Sequence, residues 1–152
     1  MTMTAAPATQ TYHIFIRAPR QRIWDAITQP DYSAGYLFGA LVETTAEIGS
    51  LFRYHSPDRT QLWGDETVLD AEPPHRLVVS YRGLYNPDLA DEPASRVSWQ
   101  IEPADDGTCL LTVVHDNLEH APKTAARVAG PGWMRVLSGM KTLLETGSPL
   151  NA

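Results

Sequence analysis

His115 is the residue of this chain whose position most invites chemistry. The stretch from Cys109 to His115 alternates, so Cys109, Leu111, Val113 and His115 share one face of a strand, and the rest of that face is apolar. Burial opposes the charged form of an imidazole, which leaves a neutral ring able to hydrogen-bond a ligand oxygen or act as a weak general base. The competing reading is a strand-end histidine satisfied by backbone. Tyr81 and Glu66 are the side chains that could assist it. Asp65 and Glu66 are neighbours in a strand and point to opposite faces, so they cannot work as a carboxylate pair, and only Glu66 can look inward. The run HDNLEH (His115 to His120) also holds Asp116, Glu119 and His120, but its spacing fits no zinc pattern. No GxSxG, HExxH, Walker loop, GxGxxG or CxxC occurs, so neither a metal nor a cofactor is expected and catalysis is the lesser reading. His13, His55 and His75 fall on polar faces or at turns, and Asp88, Asp91 and Glu92 lie in a long loop as solvated acids.

The elements that must position these groups follow from hydrophobic periodicity. Tyr12, Ile14 and Ile16 alternate with His13, Phe15 and Arg17, which makes a first strand. Pro19 opens a short helix that places Ile23, Trp24 and Ile27 on a core, and QPDYSAG ends it. From Leu41 to Val114 short β segments are separated by the turns EIGS, HSPD, EPP, NPDLADEPAS and PADDG, with no intervening helical pattern, and this implies an antiparallel meander. Leu77, Val79 and Tyr81 share a face, as do Val97, Trp99 and Ile101. In GWMRVLSGMKTLLETG, Trp133, Val136, Leu137, Met140, Leu143 and Leu144 fall within an arc of about 120° at roughly 100° per residue, with Arg135, Ser138, Thr142 and Glu145 opposite. Gly147 and Pro149 stop this closing helix. It is the element long enough to cover the dry face of the sheet.

A helix crossing a curved sheet over wide aromatics seldom fills the space beneath it, and a mainly apolar pocket is the usual small-molecule site. The expected lining is Tyr81, Trp99 and His115 from strands, Trp133, Leu137 and Met140 from the helix, and Tyr54 and Trp63 beside them; Trp24 is expected to be plain core.

Composition narrows the function further. The 152 residues suit one domain, expected over 11–150 behind a disordered tail at 1–10. With 12 Lys+Arg against 18 Asp+Glu the net charge is −6, and no basic cluster exceeds Arg20 to Arg22, which argues against nucleic acid. The lone Cys109 and the lack of a basic start or an apolar h-region at the N-terminus point to the cytoplasm. No apolar run approaches the roughly 20 residues of a membrane span.

The ordered runs YHIFIRAPRQRIWDAIT, YLFGA, EIGSLFRY, EPPHRLVVSY, RVSWQIEPADDGTCLLTVVHDNLEH and GWMRVLSGMKTLLETG together resemble the START-like (SRPBCC) superfamily, and within it the branch named for activators of the 90-kilodalton heat-shock chaperone's ATPase. The resemblance spans Tyr12 to Leu150 and implies an α+β helix-grip fold. In that fold a curved antiparallel sheet of six to seven strands wraps a long C-terminal helix, with one or two short helices after the first strand. It implies a hydrophobic cavity and, as functions, binding of an apolar or aromatic small molecule, a cyclase or hydrolase activity in the same cavity, or interaction with a chaperone. The loop from Asn86 to Ser95 is long for a hairpin and is a candidate lid.

Overall fold

Alternating strands that follow one another in the chain pair most readily with their sequence neighbours, and this sets most of the architecture. The computed structural model describes residues 6–151. The elements run β1 (Gln10–Ile16), α1 (Arg20–Thr28), α2 (Pro30–Ser33), β2 (Leu41–Thr44), β3 (Leu51–His55), β4 (Leu62–Glu72), β5 (Arg76–Tyr81), α3 (Pro87–Ala90), β6 (Ser95–Pro103), β7 (Cys109–Asp116), α4 (Pro122–Val128) and α5 (Pro131–Thr146). The sheet order is β1-β7-β6-β5-β4-β3-β2, antiparallel at every pairing. It is a meander from β2 to β7, with β1 laid against the outer side of β7 in a register that sets Gln10 opposite His115 and Ile16 opposite Cys109. This is the expected α+β helix-grip.

The faces follow the alternation. Leu77, Val79, Val97, Trp99, Ile101, Leu111 and Val113 are buried on the side that receives α5. On α5 the buried side chains are Trp133, Val136, Leu137, Met140 and Leu144, five of the six positions expected from the spacing; Leu143 is half-buried. Gly147 takes φ 78° and its N–H bonds the Leu143 carbonyl at 2.8 Å, an αL stop. Gly139 brings α5 close to the segment after α2, since a Cβ there would lie 3.2 Å from the Tyr36 Cβ.

Two expectations give way. The tail does not extend to residue 10: Ala6 and Ala8 pack on Leu118, Ala121 and Ala125, and the buried Gln10 opens β1. Its amide donates to the carbonyls of Pro7 at 3.1 Å and Ala125 at 3.0 Å. The rest of the proposed tail, residues 1–5, lies outside the described residues. Segments read as loop also contain α3 and α4, each with proline in its first turn and only 4 and 7 residues long, too short to display a helical stripe.

Candidate functional site

The apolar stripe of α5 does two jobs along its length. Its C-terminal turns are solid: Met140 is 0% exposed and Leu137 and Leu144 are buried in the core cluster. Its first turns instead roof a cavity of about 540 Å³, within the usual range for ligand pockets. Pro131, Gly132, Trp133, Arg135 and Val136 contribute from α5, and Arg127 and Val128 from α4. The sheet supplies Val42, Phe52, Tyr54, Trp63, Tyr81, Val97 and Trp99, and Ile27 with Tyr36 to Ala40 closes the side.

Several wall residues are held by identifiable contacts. Tyr54 lies flat over β4 because its partner Gly64 has no side chain; a Cβ there would sit 2.5 Å from the Tyr54 ring. Tyr36 is fixed by its hydroxyl, which donates to the Ala26 carbonyl at 2.7 Å. Trp99 meets Trp133 edge to face, with centroids 5.4 Å apart. At the mouth, Phe38 is 63% exposed and holds a positive φ of 54°, an unusual conformation for a bulky residue. Tyr85 stands nearby with the Arg127 guanidinium 5.9 Å from its ring centre.

The hydroxyls of Tyr36, Tyr54 and Tyr81 are all raised above the usual phenol range by burial, with the Glu66 charge adding to the effect at Tyr54. They are therefore protonated at neutral pH and can donate hydrogen bonds. Glu66 is 4% exposed and does not line the cavity. Burial raises its carboxyl above the ordinary range, Arg82 Nε lies 3.5 Å from Oε2, and Oε1 has no hydrogen-bond partner among the described residues.

His115 departs from its expected role. It is 0% exposed and stands behind the wall rather than in it. The Trp133 indole N–H donates to Nδ1 at 3.1 Å. An indole can only donate, so Nδ1 is the acceptor and Nε2 carries the proton, which it gives to Ser95 Oγ at 2.7 Å. Ser95 Oγ in turn donates to the Tyr81 carbonyl at 3.3 Å. Tyr81 also packs edge-on against the imidazole, with ring centres 5.2 Å apart. Burial lowers the His115 pKa to about 4, so the ring is neutral, and its only lone pair is already occupied. It orients Trp133 and is not placed to accept a proton from a ligand.

Of the expected lining, Tyr54, Trp63, Tyr81, Trp99 and Trp133 come together on the wall, whereas His115, Leu137 and Met140 do not reach it. For Leu137 and Met140 the reason is axial position: the void ends near Val136, and the helix beyond packs directly on the core. Sequence reasoning missed the rim: Phe38, Tyr85 and Arg127 lie in loops and a short helix that carry no periodic signal, and the spacing of α5 sets Arg135 on the face opposite its apolar stripe. Across HDNLEH the side chains disperse. His115 points inward, Asp116 is gripped by Arg96 through bonds of 2.8 and 2.7 Å, and His120 is exposed.

The Asn86 to Ser95 loop is fastened rather than free. Leu89 is buried, and the Glu92 carboxylate accepts the backbone N–H groups of Lys123 at 2.9 Å and Thr124 at 2.6 Å and the Thr124 hydroxyl at 2.7 Å. Glu92 was expected to be solvated; it caps α4.

Comparison with known proteins agrees with this fold. Residues 17–145 match the family model described as activator of Hsp90 ATPase homolog 1-like protein. A search of curated proteins finds no match. Among solved structures, an HSP90 activator from Plasmodium falciparum superposes with a TM-score of 0.72 at 16% identity, covering 94% of this chain and 99% of that one. The Aha1 dimer from Colwellia psychrerythraea gives 0.70 at 18% identity, covering 91% and 97%. CalU16 from Micromonospora echinospora gives 0.69 at 21%, covering 93% and 76%. At these identities the likeness is one of fold.

Proposed function

This chain belongs to the activator of Hsp90 ATPase homolog 1-like family, and from that premise we propose that it binds an apolar or aromatic small molecule beneath the first turns of α5. The observation that carries the reading is the unfilled cavity of about 540 Å³, walled by aromatic rings and partly open to solvent. Close-packed interiors leave few voids larger than a water molecule, so a space of this size is a feature to be explained. Binding is favoured over turnover because the lone pair of His115 is engaged by Trp133, and the wall tyrosines are held in their protonated forms. Without that imidazole, the cyclase or hydrolase alternative rests on Glu66 and Tyr81, and Glu66 lies off the wall.

The test is a melting-temperature screen of the purified protein against lipids and aromatic compounds, alongside native mass spectrometry for a co-purifying molecule. A ligand at 100 times its dissociation constant stabilises by about 2.7 kcal/mol, a rise of roughly 5 to 10 °C for a domain of this size. Val136→Trp fills the roof and is expected to abolish the rise. No shift above a degree across the screen rejects the proposal. Family membership supports a second reading, interaction with the chaperone. It predicts saturable stimulation of the chaperone's ATPase that persists in Val136→Trp, and it fails if neither stimulation nor co-elution is seen.

A further inference from the structure

Resting on that reading of the cavity, we infer that its occupant is an amphiphile with an anionic end: the apolar body lies among the aromatic rings, and a carboxylate or comparable oxyanion sits at the mouth between Arg127 and Arg135. The chain as a whole is acidic, with 18 Asp+Glu against 12 Lys+Arg, yet the charged residues lining this cavity are both arginines and no acidic side chain joins them. They come from different elements, Arg127 from the last turn of α4 and Arg135 from the second turn of α5, and both line this cavity, the two helices being separated only by Ala129 and Gly130.

Among the described residues neither guanidinium has a carboxylate within ion-pair distance; Arg17, Arg20, Arg22 and Arg59 are also without one but do not line the cavity, and Arg53, Arg76, Arg82 and Arg96 are each paired with an acid. Arg127 is preordered by its position over the Tyr85 ring. A guanidinium presents a planar fork of donors that matches an oxyanion, and a pair of them beside a low-dielectric wall attracts a negative charge more strongly than the same pair in open water. A neutral apolar ligand would leave both forks unused. A cationic one would be repelled.

The experiment compares matched pairs that share a body and differ in charge: dodecanoate against dodecanol, and naphthoate against naphthamide, with dodecyl phosphate as a second oxyanion. Binding is read by isothermal titration calorimetry or by quenching of tryptophan fluorescence at neutral pH. The acids are expected to bind about tenfold tighter than their neutral partners, the scale of a charge-assisted hydrogen bond, and salt should erode that margin. In Arg127→Gln/Arg135→Gln the margin between acids and neutral partners is expected to vanish, and an unchanged melting temperature of the unliganded variant separates loss of the rim from loss of the fold. Dodecyl phosphate, which carries more negative charge at neutral pH, is expected to share the advantage of dodecanoate over dodecanol. Neutral compounds binding as tightly as the acids, or a margin that survives in the double variant, overturns the inference and leaves the small-molecule proposal standing. Failure of every compound to bind overturns the inference, while the small-molecule proposal falls only if the melting-temperature screen is also blank.

Discussion

At the scale of single residues, His115 illustrates how burial converts a reactive group into a structural one. Its ring carries one proton and one lone pair, and both are spoken for by Ser95 and Trp133. A second proton would turn Nδ1 into a donor facing the indole N–H, so protonation and the native contact exclude each other. The ring titrates near 4 in the folded chain and near 6.5 when unfolded. Above 6.5 neither state holds the extra proton; between 6.5 and 4 only the unfolded chain takes it up, so stability falls as the pH falls, by about 3 kcal/mol across that window. Urea unfolding at a series of pH values is expected to show this slope. His115→Gln, whose amide can accept from Trp133 and donate to Ser95 without titrating, should flatten it; an unchanged slope in the variant rules out His115 as the source. The alternation that put His115 on the inner face was legible in the sequence. Which neighbours would consume its hydrogen-bonding capacity was not, because Trp133 and Ser95 lie far from it along the chain and meet it only through the tertiary fold.

At the scale of elements, the strands and α5 declared themselves through period, while α3, α4 and the rim did not. A helix of 4 or 7 residues cannot repeat a stripe, and its existence depends on caps supplied from elsewhere. Asn86 caps α3 by accepting the Asp88 N–H at 2.9 Å, and Glu92 caps α4 from 31 residues away. Burial raises the Glu92 carboxyl, but the bonds from Thr124 and Lys123 outweigh it and hold the group below the usual carboxylate range. Glu92→Ala is expected to cost about 1 kcal/mol, as loss of an N-cap does, and to lower the melting temperature by about 2 to 4 °C. Faster amide exchange over Asn86 to Ser95 and Pro122 to Val128 should accompany it. Exchange unchanged in either segment would show that the carboxylate does not tie them together. This tether also decides against the loop as a free lid: moving it would first require breaking the cap of the helix that carries Arg127.

At the scale of the whole molecule, the helix-grip could be read from element order and from the resemblance, and the family match over residues 17–145 agrees. The cavity could only be anticipated. Its extent is what remains after every side chain has taken a rotamer, and no periodic pattern encodes that remainder, which is why Leu137 and Met140 were expected on the wall and are found in the core. The sheet has two outer strands, β1 and β2, and β1 shields the long strand β7. Removing residues 1–16 is expected to bare the edge of β7, unseat the ring of Gln10, Ala6 and Ala8 around α4, and drive concentration-dependent self-association, measurable by analytical ultracentrifugation. A truncated chain that stays monomeric with an unchanged melting point would contradict the role given to this strand. The pairing of β1 with β7 also sets a timetable for synthesis. The opening ribbon leaves the ribosome about 100 residues before its mate, a wait of roughly 5 to 20 seconds at ordinary elongation rates, so every nascent fragment shorter than Asp116 carries a half-greasy strand with nowhere to dock.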